Sequence, residues 1–177
     1  MATSIVEQIA QKIMARLGAM DFEGIGIGSV AVTFGVGSGI YVSPTAGAVR
    51  PQRISTFQPK DFRVVVTQDN LIRNDAMSCP GNPPSQAWDV TFIIACIIRQ
   101  SETDVTAVDS IKNNFWGEVH KALVAGDWPT WDGLAYNSYI REVENYQADD
   151  GRDSGSKLKL DVHFRTSELD PFTVRGG

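Results

Sequence analysis

The chain has 177 residues, of which 42% are hydrophobic and 21% charged, the ordinary makeup of one soluble globular domain that needs no metal or disulfide staple. Its formal net charge of −5 argues against a protein that grips nucleic acid by the phosphates, which takes a basic surface. An acidic wall that DNA slides past without sticking stays compatible with that charge.

Ser4 to Leu17 reads as an amphipathic helix. Ile5, Ile9, Ile13 and Leu17 recur every four residues, and Val6 and Ala10 widen the stripe. Thr3 or Ser4 suits its start, with Glu7 placed to complete a capping box on Ser4, and Gly18 suits its end. The charges Glu7, Lys12 and Arg16 interrupt Met1 to Met20, so no signal-peptide core is present there. Gly24 to Gly39 follows, with six glycines in sixteen positions interleaved with Ile25, Ile27, Val30, Val32, Phe34 and Val36. The β-branched residues favour strands and the glycines weaken them, which predicts a glycine-rich extended arm or hairpin over 24–51. Gly24, Gly26 and Gly28 do not make a phosphate loop, because no strong strand precedes them, no helix opens from them and the Lys-Ser/Thr step is absent.

Asp61 to Gln68 alternates as a strand, and Asn74 to Gln86 reads as a Pro/Gly/Ser-rich loop. Trp88 to Arg99 is expected to be the most buried strand. Its Trp88, Val90, Phe92, Ile94, Cys96 and Ile98 form one face, and Ile93, Ala95 and Ile97 make the other apolar too. The longest apolar run, Phe92 to Ile98, is too short to span a bilayer as a helix. Asp104 to Ala125 reads as a second helix, lined by Val108, Ile111, Phe115, Val119, Ala122 and Leu123 and closed by Gly126. Trp128 and Trp131 flank Pro129 in a turn-rich linker, where they serve either as anchors at a protein contact or as a plug for the end of the core. Tyr136 to Tyr146 is a further strand. Asp149, Asp150, Gly151, Arg152, Asp153, Ser154 and Gly155 form a polar turn. Lys157 to Phe164 then alternates cleanly, with Leu158, Leu160, Val162 and Phe164 opposed to Lys157, Lys159, Asp161 and His163. This order predicts an α+β fold over 1–177, a mostly antiparallel sheet with the two amphipathic helices on one face.

Little in the chain supports catalysis or cofactor binding. His120 and His163 have no cysteine or second histidine at ligand spacing, so neither metal nor cofactor is expected. The Asp149, Asp150, Asp153 cluster lacks the spacing of a calcium loop. Glu142 and Glu144 share one strand face, but paired carboxylates do acid–base work only in a cleft, and an exposed charged face is the default. Cys79 in a polar loop and Cys96 in an apolar run read as free thiols of a reducing compartment.

The C-terminal third carries a resemblance. Gly133-Leu134-Ala135 leads a Tyr-rich strand with Glu142, and the Asp149-Asp150-Gly151 turn follows. Leu158 to Thr166 then alternates into an aromatic-Arg-Thr step, Phe164-Arg165-Thr166, before Asp170-Pro171-Phe172. This is similar to the end of phage tail terminators and related minor tail proteins, and the helix, strand and helix upstream keep that family's order. The stretch from Gly24 to Pro51 is longer and more glycine-rich than the family's. The resemblance implies a non-enzymatic virion protein of the tail or neck, assembled in the host cytoplasm. It implies a homo-oligomeric ring, a hexamer, which caps the tail tube protein, stops its polymerisation and meets the head-side connector or stopper. DNA only passes through the lumen, and no membrane is involved. Another neck or tail component is the alternative. Candidate contact residues are Gly24, Gly26, Gly28, Phe34, Trp128, Trp131, Asp149, Asp150, Arg152, Arg165, Asp170 and Phe172.

Overall fold

A computed structural model of the chain describes residues 3–19, 31–36, 40–42, 49–50, 62–81, 84–99, 108–147, 153–170, 172 and 174. It is an α+β fold. Helix α1 spans Ile5–Gly18, with Ser4 as its N-cap: the Ser4 hydroxyl accepts from the Glu7 amide at 3.2 Å. The cap leaves the Glu7 carboxylate free to accept from Gln11 Nε2 one turn on, at 3.1 Å. Its buried residues include the predicted Ile5, Ile9, Ile13 and Leu17 with Ala10, while Met14 is buried in addition and Val6 is only partly buried.

The strands are β1 (Ala31–Val36), β2 (Ile40–Val42), β3 (Val49–Arg50), β4 (Phe62–Cys79) and β5 (Ser85–Arg99), then, after helix α2 (Val108–Leu123), β6 (Asn137–Gln147) and β7 (Asp153–Ser167). They lie in one sheet in the order β3-β2-β1-β4-β5-β7-β6. The four long strands β4, β5, β7 and β6 are antiparallel throughout, while β1 runs parallel to the first part of β4, from Ala31↔Arg63 to Gly35↔Thr67. The stretch 24–51, expected as a glycine-rich arm or hairpin, is described only at the sheet strands β1, β2 and β3, and an arm is not shown.

Two boundaries differ from the sequence reading. β4 does not end at Gln68 but continues to Cys79, so most of the loop expected at Asn74 to Gln86 is strand. The cause is non-local: after a register shift between Gln68 and Asn70, the segment Asn70 to Asn74 pairs with Ala87 to Thr91 of β5. Side chains then secure the irregular tip. The Asn74 side-chain oxygen accepts from the Met77 amide, the Ser78 hydroxyl donates to the Asn74 carbonyl, and the Ala87 amide donates to Ser78 Oγ. At the other hairpin, Asp153, Ser154 and Gly155 belong to β7 and not to a turn, because they pair with Arg99, Ile98 and Ile97 of β5. The second helix is described from Val108 to Leu123, and 104–107 lie outside the described residues.

Both helices cover one face of the sheet. The core joins the α1 stripe and Phe115, Val119 and Leu123 of α2 to Val64 and Val66, to Val90, Phe92, Ile94, Cys96 and Ile98, and to Leu158, Leu160, Val162 and Phe164. Burial pushes the Cys96 thiol well above its ordinary range. On the opposite face Val65, Ala95 and Ile97 make a second, smaller buried cluster, in line with the two-sided apolar pattern of β5.

Candidate interaction surface

Strand alternation sends every second residue of β5, β7 and β6 away from the helices, and beside the Val65, Ala95 and Ile97 cluster the polar ones among them form a linked row. At one end, the Arg165 guanidinium lies 5.0 Å from the centre of the Tyr136 ring. Burial is the main reason the Tyr136 hydroxyl titrates above its ordinary range, assisted by the nearby Asp89 charge and opposed by Arg165. Next, His163 Nδ1 meets Asp89 Oδ1 at 2.5 Å, and Asp89 also accepts from Asn74 Nδ2 at 2.9 Å. Tyr139 stacks on the His163 ring, with centroids 5.4 Å apart. The row continues through Asp161, which is buried. It accepts from Thr91 Oγ1 at 2.7 Å and lies 3.3 Å from Arg141 Nη1.

The far end of the row holds Lys159. Its ammonium donates to Glu142 at 3.1 Å and to Glu144 at 2.9 Å. Hydrogen bonding with Glu142 and then Lys159 holds the Glu144 carboxyl below its ordinary range, and hydrogen bonding with Glu144 and then Glu142 raises the Lys159 ammonium. A lowered acid and a raised base both stay ionised near neutrality, whereas a general acid at that pH needs a raised carboxyl. Among the described residues no three metal-binding side chains converge, and no helix is long and apolar enough to cross a membrane.

The linker after α2 holds the two tryptophans apart in role. Trp131 is fully buried and joins the core, while Trp128 is half-buried and meets it edge-on at 5.8 Å. Trp131, Asp132 and Gly133 have φ of 54°, 56° and 78°, a run of left-handed residues that turns the indole inward. The buried indole N–H donates to Ser138 Oγ at 2.8 Å, which itself donates to the Pro129 carbonyl at 2.9 Å. Arg16 of α1 closes the junction. Its guanidinium lies 4.2 Å from the centre of the Trp131 ring, donates to the Leu123 carbonyl at 2.7 Å and pairs with Asp127. Burial lowers the Arg16 pKa, partly offset by Asp132, which itself pairs with Lys12.

Beyond β7 the chain turns on itself. The Glu168 amide donates to the Pro84 carbonyl at 3.0 Å, the Phe172 amide donates to Asp170 Oδ1 at 3.0 Å, and Thr166 bridges to Val174. Leu169 and Phe172 are exposed. A cavity of about 370 Å³ opens between the first turn of α1 and the sheet, lined mainly by Ile5, Val6, Leu71, Trp88 and Phe164.

Of the residues singled out from sequence, the structure places Arg165 in the outer-face row, Asp170 and Phe172 on the exposed tail, Trp128 in the linker and Trp131 in the core. Phe34 lies in β1 opposite Val42 and Val66. Gly24, Gly26, Gly28, Asp149, Asp150 and Arg152 lie outside the described residues. The sequence reading passed over Asp89, Thr91 and Tyr139. Their signal was available: Asp89 and Thr91 alternate with Trp88, Val90 and Phe92, so they had to share the face opposite the core. No known protein-family model matches the chain, and no curated protein matches it either.

Proposed function

We propose that this chain is a structural, non-enzymatic component of a phage-type tail, a terminator that caps the tail tube as a hexameric ring and offers a joining surface to the head-side connector or stopper. The observation that carries the reading is the closing strand. Leu158 to Phe164 alternates between core and outer face, runs into Phe164-Arg165-Thr166, and ends in an Asp170-Pro171-Phe172 tail with Phe172 exposed. The layout supports it. Both helices lie on one side of the sheet, and on the other side Tyr139 and Arg141 are exposed among the described residues, open to neighbours. Heterologous contacts that close by rotation make rings. The net charge of −5 suits a lumen through which DNA passes without binding. The two glutamates that invite a hydrolytic reading are both bonded to Lys159, which favours a structural role for them.

Mass measurement and negative-stain imaging of the purified protein, alone and with tube protein, test the proposal. The expected result is a ring of subunits at tube ends and tubes that stop growing. A protein that stays monomeric and never meets a tube end sinks it. The glycine-rich stretch from Gly24 to Gly39 favours a second reading, another neck or tail component such as a stopper. Locating the subunit away from the tube end in an assembled particle selects that reading instead.

A further inference from the structure

We propose that copies of this chain join head to tail through two different edges of the sheet, β6 of one copy pairing antiparallel with the second half of β4, Gln68 to Cys79, of the next. The inference rests on the ring reading only for the closure of the chain of copies, and not for the contact itself.

The exposed apolar side chains point to these edges. Seven large hydrophobic residues are exposed among the described residues. Five of them lie on these two segments: Leu71, Ile72 and Met77 on β4, Tyr139 and Val143 on β6. Scattered single residues of this kind need no explanation, but a concentration along sheet edges does, since an edge with apolar side chains is a template for another strand. The backbone agrees. Among the described residues β6 ends the sheet, and β4 has β1 beside it only as far as Thr67, its one strand neighbour beyond that point being β5. Charge, the usual guard of an edge, is largely neutralised inside the chain. Arg73 pairs with Asp75, Arg141 with Asp161, and Glu142 and Glu144 with Lys159.

Strand direction selects a second copy as the occupant. Three antiparallel steps lead from β4 through β5 and β7 to β6, so β4 and β6 run in opposite directions. Rotation of a copy about an axis along the strands keeps every direction, and brings β6 antiparallel to the neighbour's β4. The levels match as well. Asn70 pairs with Thr91, Thr91 with Asp161 and Asp161 with Tyr139, so Tyr139 and Asn70 stand in one row across the sheet. The open stretch of β4 therefore meets the start of β6 in a level arrangement, with Gln68 to Ile72 standing opposite Asn137 to Ile140. Because the edges differ, each contact leaves one free edge at either end, and addition continues until the ring closes.

Two full-length variants test this. One blocks the β4 edge with Leu71→Lys and Ile72→Lys. The other blocks the β6 edge with Tyr139→Lys and Val143→Lys. All four side chains are exposed in the single chain, so both variants are expected to keep the wild-type thermal midpoint to within a few degrees. Each alone is expected to stay monomeric by mass where the wild type assembles, with tube protein present if the wild type needs it. Mixed, they are expected to give a one-to-one dimer and nothing larger, because only one competent pair of edges remains. That dimer also shows that both variants are folded. Dimers of the β4-blocked variant alone overturn the proposal in favour of a two-fold β6 contact. Wild-type assembly by both variants overturns it and leaves the ring reading standing. Rings of wild-type mass that no longer bind tube ends overturn it too, and assign the edges to the tube protein. A wild type that assembles neither alone nor on tubes defeats this inference and the ring reading together.

Discussion

The two faces of β7 share one backbone and one ladder, yet they meet different demands. Toward the helices, Leu158, Leu160, Val162 and Phe164 are almost wholly buried in the main core. Away from them, Lys157, Lys159, Asp161, His163 and Arg165 are polar, and the structure holds Lys159, Asp161 and His163 in specific pairs with β5 and β6. The inner face is non-directional and tolerates any apolar residue of matching volume, so it settles that the sheet folds. The outer face is directional, and it settles register: a one-residue slip of β7 exchanges the faces and breaks every pair at once. Three consecutive residues, 159, 160 and 161, sample this difference, and replacing each in turn separates the contributions.

The largest effect belongs to Leu160, fully buried at the centre of the core between β5 and β6. Leu160→Ala removes apolar contacts and leaves a cavity, and it is expected to lower stability by about 2–5 kcal/mol. Urea unfolding measures it, with an unchanged slope showing that the loss is one of stability alone. A loss under about 1 kcal/mol, the range of an exposed strand position, puts the strand in the opposite orientation.

Asp161 comes next and breaks the simple division, because it lies on the outer face and is nevertheless buried. Asp161→Ala leaves the Thr91 hydroxyl without its acceptor and deprives Arg141 of one of its two carboxylate partners, Glu142 being the other. The expected cost is about 1–3 kcal/mol, the penalty for a buried polar group left unmade. Replacing Thr91 by Val in the same variant removes the orphaned hydroxyl and is expected to recover part of the loss. If the double variant is as unstable as the sum of the two single ones, the Thr91 to Asp161 bond is not what the aspartate supplies.

The alternation of β7, the stripe of α1 and the two-sided burial of β5 are legible in the sequence because each is periodic and local, and periodicity survives without knowledge of partners. The second half of β4 is not. Asn74, Ser78, Pro80 and Gly81 are turn formers by local chemistry, and only pairing with β5 after the register shift at Gln68 makes Asn70 to Asn74 a strand. Trp131 shows the same limit at one residue. Anchor and plug are equally compatible with a tryptophan beside a proline, and the choice depends on Ser138 and on Arg16, far away in the chain. Of the outer-face row, the alternation placed the members on one face. Which of them pair, His163 with Asp89 and Lys159 with two glutamates, depends on a strand order that the sequence does not display.

The smallest effect belongs to Lys159, whose charge lies toward solvent. Its pairing with Glu142 and Glu144 is a surface interaction, weakened by screening, so Lys159→Met is expected to shift the thermal midpoint only slightly at neutral pH. The pH dependence identifies it better than the size. Glu144 titrates below its ordinary value of 4.5 when folded, so its contribution is complete above 4.5 and is lost as pH falls through that lowered value. Lys159 titrates above its ordinary value of 10.5 when folded, so its contribution is complete below 10.5 and is lost as pH rises through that raised value. The difference in midpoint between wild type and Lys159→Met should therefore be flat between those limits and shrink beyond both, and high salt should reduce it throughout. A difference that persists at both extremes, or ignores salt, means that the Lys159 stem acts by packing over the sheet rather than by charge, and the outer face then holds its register through Asp161 and His163 alone.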